Sequence, residues 1–192
     1  MGKIVISQNV TLDGVVEDPT GEEGSAYGGW FDRCMAEDRA AWAELEYSEA
    51  IAADALLIGR RTDAYFGPRW NVAPGDWAER LRALPKYVVS STLTDPIWVN
   101  STVLGGDVVE EASRLKQRIA GDIVVYASRQ LVQTLLHNGL VDEFRLIVFP
   151  LVIGTGKRLF DDAGTATALR LQGARPIGRN LSALTYEVVR DA

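Results

Sequence analysis

Ala55-Leu56-Leu57-Ile58-Gly59-Arg60-Arg61-Thr62 is the stretch on which the fold turns. A continuous apolar run that stops at a glycine and two arginines is the pattern of a strand buried on both faces that passes directly into a helix. Gly59 lets a ligand approach the backbone, the guanidiniums of Arg60 and Arg61 offer planar forks to phosphate oxygens, and Thr62 can cap the following helix. An ordinary surface turn with solvated arginines has the same sequence, so both readings stand at this point.

Similar apolar runs occupy Lys3 to Ser7, Tyr87 to Ser90 and Ile123 to Tyr126. Helical stretches separate them. Phe31 to Ala52 reads as one long helix; Asp107, with Glu110 three positions on, caps a second that Gly121 can end; Ser128 precedes a third that stops at Gly139. After Gly139 come strands at Glu143 to Leu151, Leu169 to Ile177 and Leu181 to Val189, the last two joined by the turn residues Gly178, Arg179 and Asn180. The expected fold is α/β: a mixed, mainly parallel sheet flanked by helices, with an antiparallel C-terminal hairpin, in a single domain spanning residues 1–192. Thr11 to Gly29 and Phe66 to Gly75 read as irregular excursions.

The 192 residues are 47% hydrophobic, enough for one sizeable core. A net charge of −6 with scattered arginines argues against nucleic acid or an anionic membrane as partner, so any anion needs a local site. One cysteine, Cys34, and one histidine, His137, are too few for a disulfide or a thiolate or imidazole metal cluster, so no metal is expected and a reducing, cytoplasmic setting is. The opening MGKIVISQNV is broken by Ser7, Gln8 and Asn9 and reads as a strand rather than a leader or a membrane span.

Ligands in open α/β sheets sit at the carboxyl ends of strands. Besides Gly59 to Thr62, the hydroxyls of Ser90-Ser91-Thr92 follow one strand, where they can donate to a phosphate or simply make a turn. Tyr126-Ala127-Ser128-Arg129-Gln130, running on to Leu131, joins another strand to a helix start suited to a pyrophosphate, unless Ser128 only caps its own helix. No G-x-G-x-x-G follows a strand, and Gly154-Thr155-Gly156-Lys157 lacks the Walker spacing.

Thr11-Leu12-Asp13-Gly14, Gly59-Arg60-Arg61-Thr62, Leu140-Val141-Asp142-Glu143, Phe149-Pro150-Leu151-Val152-Ile153-Gly154 and Gly156 to Phe160 together resemble the dihydrofolate reductase-like superfamily. The closer likeness is to the C-terminal reductase domain of the bifunctional riboflavin biosynthesis protein, over nearly the whole chain. This resemblance implies NADPH as hydride donor. It implies Arg60, Arg61 and Thr62 as the adenosine-phosphate and pyrophosphate grip, Ser90 and Ser91 as the 2′-phosphate contact, and Ala127 to Leu131 as a second pyrophosphate loop. That branch usually has glycine where Ala127 stands; a methyl group there disfavours positive φ and crowds a close-lying pyrophosphate.

For a proton donor, Asp13 would lie near a nicotinamide if the resemblance extends to the fold, although Asp-Gly is also a turn dipeptide. Asp32 resembles, in location only, the carboxylate by which dihydrofolate reductases hold the pterin. Trp30, Trp70 and Tyr126 can stack on a planar ring or fill the core. His137 suits a helix end, and Glu110, Glu111, Asp161 and Asp162 read as solvated acidic pairs without a partner base. The leading expectation is an NADPH-dependent reductase of a small heterocyclic or carbonyl-bearing metabolite, the family's best-known reaction being reduction of 5-amino-6-(5-phosphoribosylamino)uracil. A nucleotide-binding or sensing module without catalysis is the alternative, and a structural homodimer joined through strands such as Arg145 to Val152 is the third.

Overall fold

The structure, a computed structural model, describes residues 1–35, 37–160 and 166–190, so Asp161 and Asp162 lie outside the described residues. Along the chain come β1 (Lys3–Thr11), α1 (Trp30–Cys34), α2 (Arg39–Ala52), β2 (Ala53–Gly59), α3 (Arg60–Trp70), α4 (Asp76–Ala83), β3 (Lys86–Val89) and β4 (Ser101–Leu104). They continue as α5 (Val108–Arg118), β5 (Asp122–Tyr126), α6 (Arg129–His137), β6 (Glu143–Phe149), β7 (Leu169–Ile177) and β8 (Leu181–Val188). The chain divides into two compact units, Met1–Ile6 with Glu46–Asp142 and Ser7–Leu45 with Glu143–Ala192, so β1 contributes to each.

In the first unit the strand order is β4-β3-β2-β5-β1. β2 pairs in parallel with both β3 and β5, and β3 pairs in parallel with β4. Central position explains the unbroken Leu56-Leu57-Ile58 run: all three side chains are fully buried. Leu56 and Ile58 join Val5, Leu81, Leu84, Val88, Trp98 and Val124 in one cluster. Burying a side chain of this size stabilises by roughly 1.5–3 kcal/mol.

In the second unit the order is β1-β6-β8-β7, and β8 is antiparallel to both its neighbours. Gly178, at φ 57°, makes the β7–β8 turn. Trp30 and Phe149 anchor this core, edge to face with ring centroids 5.2 Å apart. The α/β architecture is thus mixed and mainly parallel, with helices beside the sheet and an antiparallel C-terminal ribbon.

Three local expectations are corrected. The single helix from Phe31 to Ala52 is two, α1 and α2, because Asp38 stands between them and accepts hydrogen bonds from the backbone N–H groups of Arg179 and Asn180 at 2.7 and 3.0 Å. Phe66 to Trp70 is helical rather than irregular, since Pro68 falls in the last turn of α3 and the helix continues around it. Two short elements, α4 and β4, stand where the sequence suggested none.

Among the described residues, no helix is long and apolar enough to cross a membrane, and no group of three or more His, Cys, Asp or Glu side chains is placed to hold a metal.

Candidate functional site

Parallel pairing gathers three strand ends within the first unit. Gly59 pairs with Val89, so the β2 and β3 ends are level and Ser90 begins the next turn. On the other side Leu56 pairs with Val124, which brings Tyr126 beside the last residues of β2. Gly59 to Thr62, Ser90 to Thr92 and Tyr126 to Leu131 therefore occupy one edge, as the sequence pattern suggested.

Ser128 links two of these turns. Its Oγ accepts the Gly59 N–H at 2.9 Å and lies 2.8 Å from Thr62 Oγ1. Neither α3 nor α6 has a side-chain cap from its own N-cap residue, Gly59 or Ser128. By contrast Asp107 caps α5 as expected, accepting from the N–H groups of Val109 and Glu110 at 3.0 Å each. The starts of α3 and α6, neither capped by the side chain of its own N-cap residue, thus stand side by side, each the positive end of its helix dipole.

Two expectations about these turns are corrected. Ser128 caps the turn into α3 rather than its own helix, and Thr62 is not a cap but a buried residue in the first turn of α3, with Gly59 before it. Ala127 also adopts the positive φ that its methyl group disfavours: Ala127 is at 47° and Ser128 at 50°. Two consecutive left-handed residues that are not glycine store backbone strain at this point.

The same three turns carry side chains suited to an anion. Arg60 and Arg61 are exposed, and Arg60 Nη1 donates to Thr92 Oγ1 at 3.1 Å. Ser90 Oγ accepts the N–H groups of Thr92 and Leu93 at 3.2 and 3.0 Å, which closes the turn and leaves Ser91 exposed at its tip. Arg129 is half-buried, Gln130 exposed and Leu131 packed inward.

The candidate acids sit in the second unit. Asp13 Oδ1 accepts from Thr11 Oγ1 at 2.7 Å and from the Ile153 N–H at 3.2 Å, and Oδ2 accepts from the Gly154 N–H at 2.7 Å. Burial pushes this carboxyl up, but the bonds from Thr11, Gly154 and Ile153 outweigh it and hold the group below its ordinary value. Asp32 is exposed and paired with Arg39 at 2.5 Å. Trp30 is fully buried in the core, and Trp70 packs on Trp77 with centroids 4.8 Å apart. Glu110 and Glu111 lie in the first turn of α5, where the helix start was expected, and both pair with the Arg114 guanidinium, at 2.6 and 2.8 Å.

Sequence reasoning singled out neither Glu46 nor Asp63, both buried. Glu46, on the inward face of α2 with Ala50, is buried, and its pKa is raised well above the ordinary value by desolvation and then by the charge of Glu49. A helix rich in glutamates gives no sign of which one turns inward.

The fold is the dihydrofolate reductase-like one. The chain belongs, more narrowly, to the RibD C-terminal domain family, whose model matches residues 2–182. The Bacillus subtilis (strain 168) protein YyaP, described as uncharacterized, is 28% identical over 191 residues, covering 96% of this chain and 94% of that protein. Among solved structures, a proposed riboflavin biosynthesis protein from Shewanella sp. PV-4 superposes with a TM-score of 0.74 at 18% identity, covering 98% of this chain and 99% of the other. Dihydrofolate reductase from Enterococcus faecalis, complexed with NADP(H), superposes with a TM-score of 0.57 at 15% identity over 97% and 96% of the two chains. Likeness at such identities concerns the fold.

Proposed function

We propose that this chain is an NADPH-dependent reductase of a small heterocyclic or carbonyl-bearing metabolite, with 5-amino-6-(5-phosphoribosylamino)uracil as the first substrate to test. The observation that carries the reading is the Ser128 bridge, which holds the starts of α3 and α6 together at the carboxyl ends of β2 and β5. Two helix starts fit a pyrophosphate, which needs several N–H donors within a few ångströms. Arg60 and Arg61 add the charge that a protein of net charge −6 lacks elsewhere as a general field. Ser90 and Ser91 suit the 2′-phosphate, and Tyr126 with Ala127 to Leu131 forms the second wall.

When bound, NADPH supplies the hydride; the protein supplies binding and orientation. Arg60, Arg61 and the start of α3 would hold the phosphates, with the start of α6 beside them. Membership of the RibD C-terminal domain family supports the reading. One observation favours a nucleotide-binding module without catalysis: Asp13 has both carboxylate oxygens engaged and Asp32 is paired with Arg39, so neither is poised to give a proton. Loss of NADPH absorbance on adding the phosphoribosylamino-uracil, or a panel of small carbonyl compounds, supports the reductase. Nucleotide binding without turnover of any of them supports the module.

A further inference from the structure

The turn assigned to the 2′-phosphate is the beginning of a longer loop, residues 90–100, and that loop is fastened to one face of α3. Arg60, Asp63, Gly67 and Asn71 are spaced by three, four and four residues, which puts them in line along the helix. Arg60 reaches Thr92. Asp63 lies fully inside, 1% exposed, and its two oxygens accept the N–H groups of Ile97 and Trp98 at 2.8 and 2.9 Å. Asn71, at the far end, donates to the Ile97 carbonyl at 2.9 Å and accepts from the Val99 N–H at 3.1 Å. Between them a Cβ at Gly67 would stand 2.8 Å from both Ile97 Cγ2 and the Trp98 nitrogen, so only glycine lets the loop lie this close.

A buried carboxylate is costly unless its oxygens are hydrogen-bonded, and Asp63 meets that condition through the backbone N–H groups of Ile97 and Trp98 in this loop, with the charge of Lys86 as a further favourable contribution. The α3 and α6 starts are fastened separately, by Ser128. Ser128 thus joins the two helix starts, whereas Asp63 and Asn71 fasten residues 97–99 of the loop, and Arg60 alone of these residues belongs to a helix start and also reaches the loop, at Thr92.

Resting on the NADPH reading above, we infer that Asp63 and Asn71 are positioning residues for cofactor choice: they set the Ser90 to Thr92 turn against the start of α3, and so the preference for a 2′-phosphate, without touching the nucleotide. The pyrophosphate grip does not pass through them. Loosening the loop therefore weakens what the loop alone holds. A merely structural role would lower affinity for both nucleotides together.

The test is calorimetric titration of the full chain, wild type, Asp63→Asn and Asn71→Ala, with NADPH and separately with NADH. Asp63→Asn keeps the shape but turns an amide NH2 towards one of the two backbone donors. The expected result is a rise in the NADPH Kd of about tenfold for Asp63→Asn and about threefold for Asn71→Ala, with the NADH Kd changed less than about twofold. Equal weakening for both nucleotides, or no change for either, overturns the inference while leaving the reductase reading intact. Wild-type protein that binds neither nucleotide overturns the reading beneath it. Should Asp63→Asn fail to fold, Asn71→Ala decides by the same ratio.

Discussion

Ser128 Oγ accepts the N–H of Gly59 at 2.9 Å, so a residue at the start of α6 closes the turn that begins α3. The same hydroxyl lies 2.8 Å from Thr62 Oγ1. Replacing Ser128 with Ala leaves the half-buried Gly59 amide without this acceptor and unties the two helix starts. We expect a loss of about 1–2 kcal/mol in urea unfolding, together with weaker NADPH binding. Unchanged stability would show that the bridge is incidental.

Ala127 and Ser128, at φ 47° and 50°, point to a second substitution. Ala127→Gly removes the Cβ that makes the left-handed region unfavourable, at the cost of a more flexible unfolded chain. A net gain of about 0.5–1 kcal/mol is expected, with NADPH affinity equal to or above wild type because the glycine opens the approach to the backbone. Lower affinity in Ala127→Gly would mean that the methyl group itself contributes to the ligand site.

How much of this was legible in the sequence depends on how local each cause is. The β2 strand and its exit into α3 are written in an apolar run cut by Gly59. The α1–α2 break is not, because it depends on Asp38 meeting Arg179 and Asn180, more than 140 positions away. Pro68 reads as a breaker but is tolerated in the last turn of α3. β4 has only the residues Ser101-Thr102-Val103-Leu104, too short for periodicity, and is specified by pairing with β3. Within the site, residue types identified the three turns, but whom Ser128 caps could not be read, since its partner, Gly59, is 69 positions distant.

Lys86 is 1% exposed, and its ammonium donates to the carbonyls of Leu81 and Leu84 at 2.6 Å each and of Arg82 at 3.3 Å. It thereby closes the end of α4. Lys86→Met leaves these acceptors without their donor, and a loss of about 2–3 kcal/mol is expected in chemical unfolding. Burial lowers the Lys86 pKa from 10.5 to about 8, against the opposing charge of Asp63. Between those values the unfolded chain binds more protons than the folded one, so the contribution of this group to stability rises with pH. Lys86→Met should remove that rise; an unaltered alkaline profile would contradict the assignment.

Acid should act through Asp38. The Arg179 N–H lowers its pKa first, burial opposes, and Asn180 adds a further lowering, so the folded value lies below 3.8. A depressed carboxyl contributes stability that is present above the unfolded value and is lost as pH falls through the folded one. Thermal unfolding from about pH 5 downward should therefore show a steeper fall below about pH 4 for wild type than for Asp38→Asn, which starts less stable. Parallel curves would place the acid sensitivity elsewhere.

Whether the edge formed by Gly59 to Thr62, Ser90 to Thr92 and Tyr126 to Leu131 holds NADPH is decided by calorimetric titration of wild type, Arg60→Ala and Ser91→Ala with that nucleotide. The expected result is saturable binding of one nucleotide per chain, weakened about tenfold or more by Arg60→Ala and by a smaller factor by Ser91→Ala. Absence of binding to the folded wild-type chain, or binding indifferent to both substitutions, would contradict it.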